Sequence, residues 1–360
     1  MEKAGLPEGA IGSGTVGYTL APRLNAAGRL ESAYAAYELL MTDDDVRATE
    51  LAEQLHNQNR ERQDLTRAAV EKARRVILAD CVGSSLYLIF DPSYNEGIVG
   101  LVAGRLTDEF YRPTLVAHQG DEVTRGSARS IPELHITHAL DQCADLLVRY
   151  GGHSAAAGFT VRTENLWALH RRLLEIAERE LATKCLEPAL QIDAELNLRG
   201  VDRRSVEDIL TARASGAPLP GPMVFGASSG GRQPAGRGAN QSTAESHGLQ
   251  IVEGLDRLRP FGYGNPTPVF ASYGLEVKRK QLVGGSKDNR APGTVKESPH
   301  LKLVLHDGKQ AWDAIGFNMA AWHDELGERV DVAYRLDINE WNGRHSLQLV
   351  LEDLRLVGGS

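Results

Sequence analysis

At 360 residues, with 42% hydrophobic side chains, the chain has room for two or three domains with cores of their own. A net charge of −8 excludes a general polyanion binder, so any nucleic-acid contact must come from a local basic groove. Three widely spaced cysteines, Cys81, Cys143 and Cys185, exclude a disulfide framework or a cysteine zinc site and fit a reducing, cytoplasmic setting; no apolar run reaches about 18 residues, which excludes a helical membrane span.

The opening 18 residues are rich in glycine, form no clear element and lack the apolar core of a signal peptide. APRLNAAGRL (21–30) follows, placing Arg23, Asn25 and Arg29 among small residues. Such a stretch can approach an anion closely, with guanidinium groups binding its oxygens in pairs; equally, it can be a helix start with solvated arginines. A helix is predicted over 32–41. Thr42 is expected to cap a second helix running from 44 to about 78, with Asp43, Asp44 and Asp45 in its first turn. That length predicts a connector between domains.

Strand and helix signals then alternate: strand 86–90, helix 97–110, strand 114–117, extended 123–130, helix 136–150, strand 159–161 and helix 166–181. The alternation predicts a layered α/β domain over 86–184. Two site candidates lie in it. GSARS (126–130) sets Ser127, Arg129 and Ser130 at a strand end after a glycine, a pattern suited to gripping phosphate or to a polar edge strand. GGHSAAAGF (151–159) sets His153 behind Gly151 and Gly152, with Gly151 expected to stop the preceding helix. A glycine turn, a helix end and an imidazole can hold a phosphate, or can simply form a tight turn.

From 190 the character changes. A strand is expected at 190–198, a helix at 201–214 and a disordered insertion at 215–247, whose Arg232 and Arg237 sit in a Gly/Pro/Ser/Ala-rich loop. A short helix at 249–258 leads into RPFGYGNP (259–266), a run of turn formers. Strand signals crowd together at 269–271, 275–282, 301–306, 311–317, 330–339 and 346–356, with a basic loop at 283–299 carrying Lys287, Arg290 and Lys296. About six short strands predict a small antiparallel barrel of the OB type. Tyr273, Lys278, Arg279, Lys280, Trp312, Phe317, Trp341 and Arg344 interleave rings with cations, as in a single-strand track, although at least half of the rings are expected to fill the barrel.

Six motifs in order, APRLNAAGRL, EGIVGLVAGRL (96–106), GSARSI, GGHSAAAGF, RPFGYGNPTPVF (259–270) and DAIGFN with NEWNGRHSLQL (313–318, 339–349), resemble the RecJ family of single-stranded-DNA-specific exonucleases, in the DHH phosphoesterase superfamily. The resemblance covers most of 15–356 and excludes 215–247. It implies an N-terminal remnant with connector helices at 1–80, a DHH-associated α/β domain at 81–186 and an OB-fold domain at 187–360 carrying the insertion. It also implies 5′-to-3′ hydrolysis of single-stranded DNA in repair and recombination, driven by two Mn2+ or Mg2+ ions held by a DHH domain. No Asp-His-His occurs here, and Tyr94 stands where the family carries Trp or His. The chain is therefore expected to be a fragment, a split gene product or a degenerate relative, with metal ligands absent and a separate DHH-domain chain as a partner.

Carried over by motif, His153 faces the scissile phosphate, beside the backbone of Gly151 and Gly152. Ser127, Arg129 and Ser130 hold a phosphate near the terminal nucleotide. Arg23, Asn25 and Arg29 line the mouth that recognises the 5′ end, and the motif does not say which arginine touches DNA. Lys278, Arg279, Lys280, Trp341 and Arg344 form the track. The expected function is the substrate-binding part of the nuclease, inactive alone. The rivals are a non-catalytic single-strand-binding or partner protein, and a DHH phosphoesterase acting on small nucleotides.

Overall fold

Short apolar strands separated by amphipathic helices form the first half of the molecule. The computed structural model describes residues 5, 12–200, 255, 257–262, 264–284, 299–341 and 344–357, in two compact units, 1–189 and 190–360. The expected helix at 201–214, the insertion at 215–247 with Arg232 and Arg237, most of the helix at 249–258, Tyr263, and the loop cations Lys287, Arg290 and Lys296 lie outside the described residues.

In the first unit a π-helical turn, Thr15–Leu20, runs into α1 (Ala21–Leu30), with Pro22 in its first turn. Next come α2 (Tyr34–Met41) and α3 (Asp45–Asp80). Asp44, not Thr42, caps α3: its carboxylate accepts from the amides of Val46 and Arg47, while the Thr42 hydroxyl accepts from the amide of Asp44. At 36 residues, α3 is about 54 Å long. Leu51 and Leu55 bury its first half among the N-terminal helices. Ala69, Val70, Ala73 and Ile77 bury its second half against the sheet and α4 (Val99–Phe110).

The sheet orders its strands β1 (Tyr87–Asp91), β2 (Thr114–Gln119), β3 (Val123–Arg129), β5 (Ala156–Arg162) and β4 (Leu147–Gly152). β1 and β2 are parallel and need the α4 crossover; the other pairs are antiparallel. Tyr87, Ile89 and Val116 pack under α3 and α4. Leu88, Leu115, Ala128, Ala157, Phe159 and Val161 pack on the other face with α5 (Ile136–Asp141) and α6 (Leu166–Leu181).

The helix expected at 136–150 ends instead at Asp141. A 3-10 turn at Ala144–Leu146 leads into β4, because Tyr150, Gly151 and Gly152 pair with Phe159, Gly158 and Ala157. Gly151 therefore ends no helix; it belongs to a strand.

The second unit is a barrel. β7 (Phe270–Val283), β8 (His300–His306), β9 (Ala311–Gly316), β11 (Arg344–Leu356) and β10 (Arg329–Trp341) pair in that order, and β10 returns to β7, closing five strands. The run expected as two strands, 269–271 and 275–282, is one strand passing through Gly274 at φ 61°. The strand expected at 190–198 shrinks to Ala194–Glu195 (β6), paired to the start of β7. Leu301, Leu303, Leu305, Trp312, Val330, Tyr334 and Leu349 fill the interior. Trp312 donates its indole N–H to Asp307 at 2.8 Å, and the Tyr334 and Ser272 hydroxyls share a bond of 2.9 Å.

Candidate functional site

The period of two along β3 places Arg125, Ser127 and Arg129 on the α4 side of the sheet. On that side Ser127 pairs with Val116 and Gly158, and Gly158 pairs with Gly151. A Cβ added at Gly151 or Gly158 would meet nothing within 4 Å. Glycines in register thus leave an open floor beside α4, where a ligand can reach the main chain.

A cavity of about 260 Å³ stands over this floor, lined by Arg29, Gly97, Gly100, Ser127, Arg129 and Gly158, with Arg125 and Glu96 at its edge. Glycine is required at Gly97 and relieves a tight contact at Gly100. A Cβ at Gly97 would stand 1.8 Å from the carbonyl oxygen of Arg29, so only glycine lets the end of α1 meet the start of α4. A Cβ at Gly100 would crowd Ser127 Oγ at 3.1 Å and Arg129 Nη2 at 3.2 Å. The start of α4 opens into the cavity, where a helix dipole favours anions.

Arg129 donates from Nη1 to Ser127 Oγ at 2.9 Å and to the Ala128 carbonyl at 2.8 Å. Burial, and then the nearby Arg29, lower its pKa from the ordinary arginine value. Arg29 donates to the Gly97 carbonyl at 3.4 Å. Among the described residues neither guanidinium has an ion-pair partner. Arg125, by contrast, pairs with Glu96 at 3.2 Å. Two arginines without an ion-pair partner among the described residues, with a hydroxyl, line a small polar space that suits a phosphate dianion.

The remaining expected residues divide. Arg23 turns away from the cavity, donating to the Thr19 carbonyl at 2.6 Å and to His56 at 3.4 Å. Of the two motif arginines, Arg29 is therefore the one that lines the cavity. Asn25 is exposed on α1. Ser130 serves the fold: its hydroxyl donates to the Leu134 carbonyl at 2.7 Å and its amide to the Ala155 carbonyl at 2.9 Å. His153 is exposed at the tip of the β4–β5 hairpin. Its amide donates to the Ala156 carbonyl at 2.8 Å, and its carbonyl accepts from Thr137 Oγ1 at 2.7 Å. Gly151 lines the neighbouring cavity, of about 560 Å³, with Arg125, Arg149 and Phe159; His153 lines neither cavity. Gly152 is set by the hairpin, since a Cβ there would meet the Ala156 carbonyl oxygen at 2.2 Å.

Sequence reasoning overlooked Arg125 and Arg149, although the alternation Arg125-x-Ser127-x-Arg129 was a usable signal. It also overlooked Arg62, lost among the many charges of α3, and Arg105, although the quoted stretch EGIVGLVAGRL contains it.

On the barrel, Lys278, Arg279 and Lys280 are exposed on β7; Lys278 pairs with Glu276, and Lys280 donates to the Leu326 carbonyl at 3.2 Å. The side chains of Trp341 and Arg344 lie outside the description. Of the other rings, Trp312 is core. Phe317 is 54% exposed, edge-on to His300, and Tyr273 is 52% exposed, so one of the three described rings of that set fills the barrel.

The DHHA1 domain family matches residues 82–181, and the RecJ OB domain family matches residues 241–353. The single-stranded-DNA-specific exonuclease RecJ of Bacillus subtilis is 30% identical over 343 residues, 94% of this chain and 36% of that protein. The Escherichia coli K12 protein of the same name is 28% identical, over 96% of this chain and 52% of its own. The chain belongs to the RecJ family. Its fold agrees: the crystal structure of Thermus thermophilus RecJ in complex with Mg2+ matches with a TM-score of 0.66 and 26% identity, over 96% of this chain and 44% of that one. The Mn2+ complex matches at 0.65. The chain thus spans roughly a third to a half of the length of the RecJ proteins it matches. Among the described residues, no group of three or more His, Cys, Asp or Glu could hold a metal ion, so those residues do not fit a RecJ metal centre.

Proposed function

We propose that this chain is the substrate-gripping part of a RecJ-type 5′-to-3′ single-strand exonuclease. The convergence of Arg29, Ser127 and Arg129 on one cavity at the start of α4 carries this reading. The Arg29 and Arg129 guanidinium groups and the Ser127 hydroxyl hold the terminal phosphate, and the open glycine floor lets the sugar-phosphate chain lie against β5 and β4. His153, at the hairpin tip, stays the candidate to face the scissile phosphate; its exposure leaves the imidazole free to meet a ligand. The exposed cations of β7 with Tyr273 and Phe317 supply a sequence-tolerant track on the barrel.

RecJ structures carry Mg2+ or Mn2+. The described residues of this chain hold no matching donor set, and the reading places the metal and the cutting step on a DHH domain, in cis or on a separate chain. Alone, this chain binds single-stranded DNA and leaves it uncut. The test is incubation of the purified chain with 5′-phosphorylated oligothymidylate and Mn2+, beside a binding titration against the 5′-hydroxyl oligomer. Tighter binding of the phosphorylated end, lost in Arg129→Gln, is expected, with no mononucleotide release. Digestion by the chain alone, or equal affinity for the two ends, defeats the reading.

A further inference from the structure

Behind Arg129 lies another cavity, of about 290 Å³, between α3 and α4. Arg62 and Thr66 reach it from α3, Gly104 and Arg105 from α4, and Arg129 forms the wall it shares with the first cavity. The Arg62 Nε is sealed from water and, among the described residues, has no hydrogen-bond partner. Burial first, then Arg29 and Arg105, lower the Arg62 pKa from its ordinary value. Asp108 is the only carboxylate on the wall, and among the described residues it forms no ion pair with Arg62 or Arg105. Thr66 Oγ1 already donates to the Arg62 carbonyl at 2.7 Å, so its hydroxyl proton is not available to a ligand.

The cluster therefore gathers Arg29, Arg62, Arg105 and Arg129, and among the described residues none of the four has an ion-pair partner. A half-buried cation without a counter-charge destabilises the free chain, and an oxyanion that bridges two guanidinium groups offsets that cost. The small residues Gly100 and Gly104 keep the space open between them.

We propose that this cavity is a separate oxyanion subsite, in which Arg62 and Arg105 grip an internal phosphodiester of the same strand whose end sits at Arg29, Ser127 and Arg129. The inference rests on reading the first cavity as the terminal-phosphate grip. It adds a sequence-independent clamp on the connector helix. The two cavities differ in what they read: the first distinguishes a 5′-phosphate from a 5′-hydroxyl, and the second only holds backbone.

That difference separates the two in one experiment. The full chain and its Arg62→Gln, Arg62→Lys, Arg105→Gln and Arg129→Gln variants are titrated with 3′-labelled oligothymidylates ending in 5′-phosphate or 5′-hydroxyl, from 50 to 200 mM salt. Arg62→Gln and Arg105→Gln are expected to weaken binding of both oligomers alike, by about tenfold, and to reduce the salt slope by about 0.7, one phosphate contact on a single strand. The preference for the 5′-phosphate survives in both, and Arg62→Lys recovers part of the affinity. Arg129→Gln erases the preference and so reports on the terminal grip independently. Because Arg105 is exposed, its change leaves the fold intact, and unaltered affinity and slope in Arg105→Gln overturn the proposal. Loss of only the 5′-phosphate preference in these variants also overturns it, by placing both arginines in the terminal grip. A thermal-shift series with inorganic phosphate completes the test: variants that lose stabilisation by free phosphate but bind oligomers normally mark a free-anion site and end the phosphodiester reading. No salt-sensitive binding by the unaltered chain ends both readings.

Discussion

Asp91 shows how one side chain ties the connector helix to the sheet. It ends β1, receives the Lys72 ammonium of α3 at 2.6 Å and accepts from the amide of Ser93 at 2.8 Å and its hydroxyl at 2.5 Å. Burial disfavours its charge, yet Lys72 and the two Ser93 donors together hold the carboxyl down to about 2. An unfolded aspartate titrates near about 3.9. The folded state therefore releases this proton more readily, and the contribution is fully present above about pH 4 and disappears as pH falls toward 2. In urea denaturation across pH 5 to 2, Asp91→Asn is expected to show a shallower loss of stability in that window than the unaltered chain. Equal slopes would remove Asp91 from the acid sensitivity. At the same scale the site glycines were only partly legible. Glycine-rich motifs mark close approach, but that Gly97 abuts Arg29 and Gly151 faces open space depends on distant backbone.

The elements explain both the successes and the errors of sequence reading. α3, α4 and α6 were readable because their apolar spacing is local and long, although the cap of α3 fell on Asp44 and not on the expected Thr42. β4 was misread as helix because Leu146, Leu147 and Val148 fit either period, and its pairing partner β5 lies beyond a hairpin whose register the spacing does not show. That error changed the site: the GGH stretch became a strand end and hairpin tip, and a helix-end anion pocket was replaced by a glycine floor. α3 joins two clusters, and Leu55 is 1% exposed where α1 and α2 pack on it. Leu55→Ala is expected to destabilise this region by about 2–5 kcal/mol. Hydrogen exchange should then quicken in α1 and α2 while the amides of β2 and β3 keep their protection. Uniform loss across the sheet would show instead that the helices and sheet unfold together.

At the scale of the whole molecule, the charge is negative while the groove is basic. A chain of net charge −8 concentrates Arg29, Arg62, Arg105, Arg125, Arg129 and Arg149 along adjoining cavities of one sheet face. Binding to single-stranded DNA is expected to weaken steeply between 50 and 200 mM salt, with a log–log slope of about −0.7 for each phosphate engaged, as counterions return to the strand. Fluorescence anisotropy measures it, and salt-independent affinity would mean the arginines do not touch phosphate.

Composition, helix periodicity and six ordered motifs were enough to establish the family and the order of α/β domain and barrel, and to mark Ser127, Arg129 and the two arginines of APRLNAAGRL as candidates, because each is written in local chemistry. Only the tertiary structure decided that Arg23 turns to Thr19 and His56 and that His153 sits on a hairpin. It alone brought Arg62 and Arg105, distant in sequence, to one cavity with Arg129. Those facts depend on strand pairing and helix packing, which join residues that no sequence period relates.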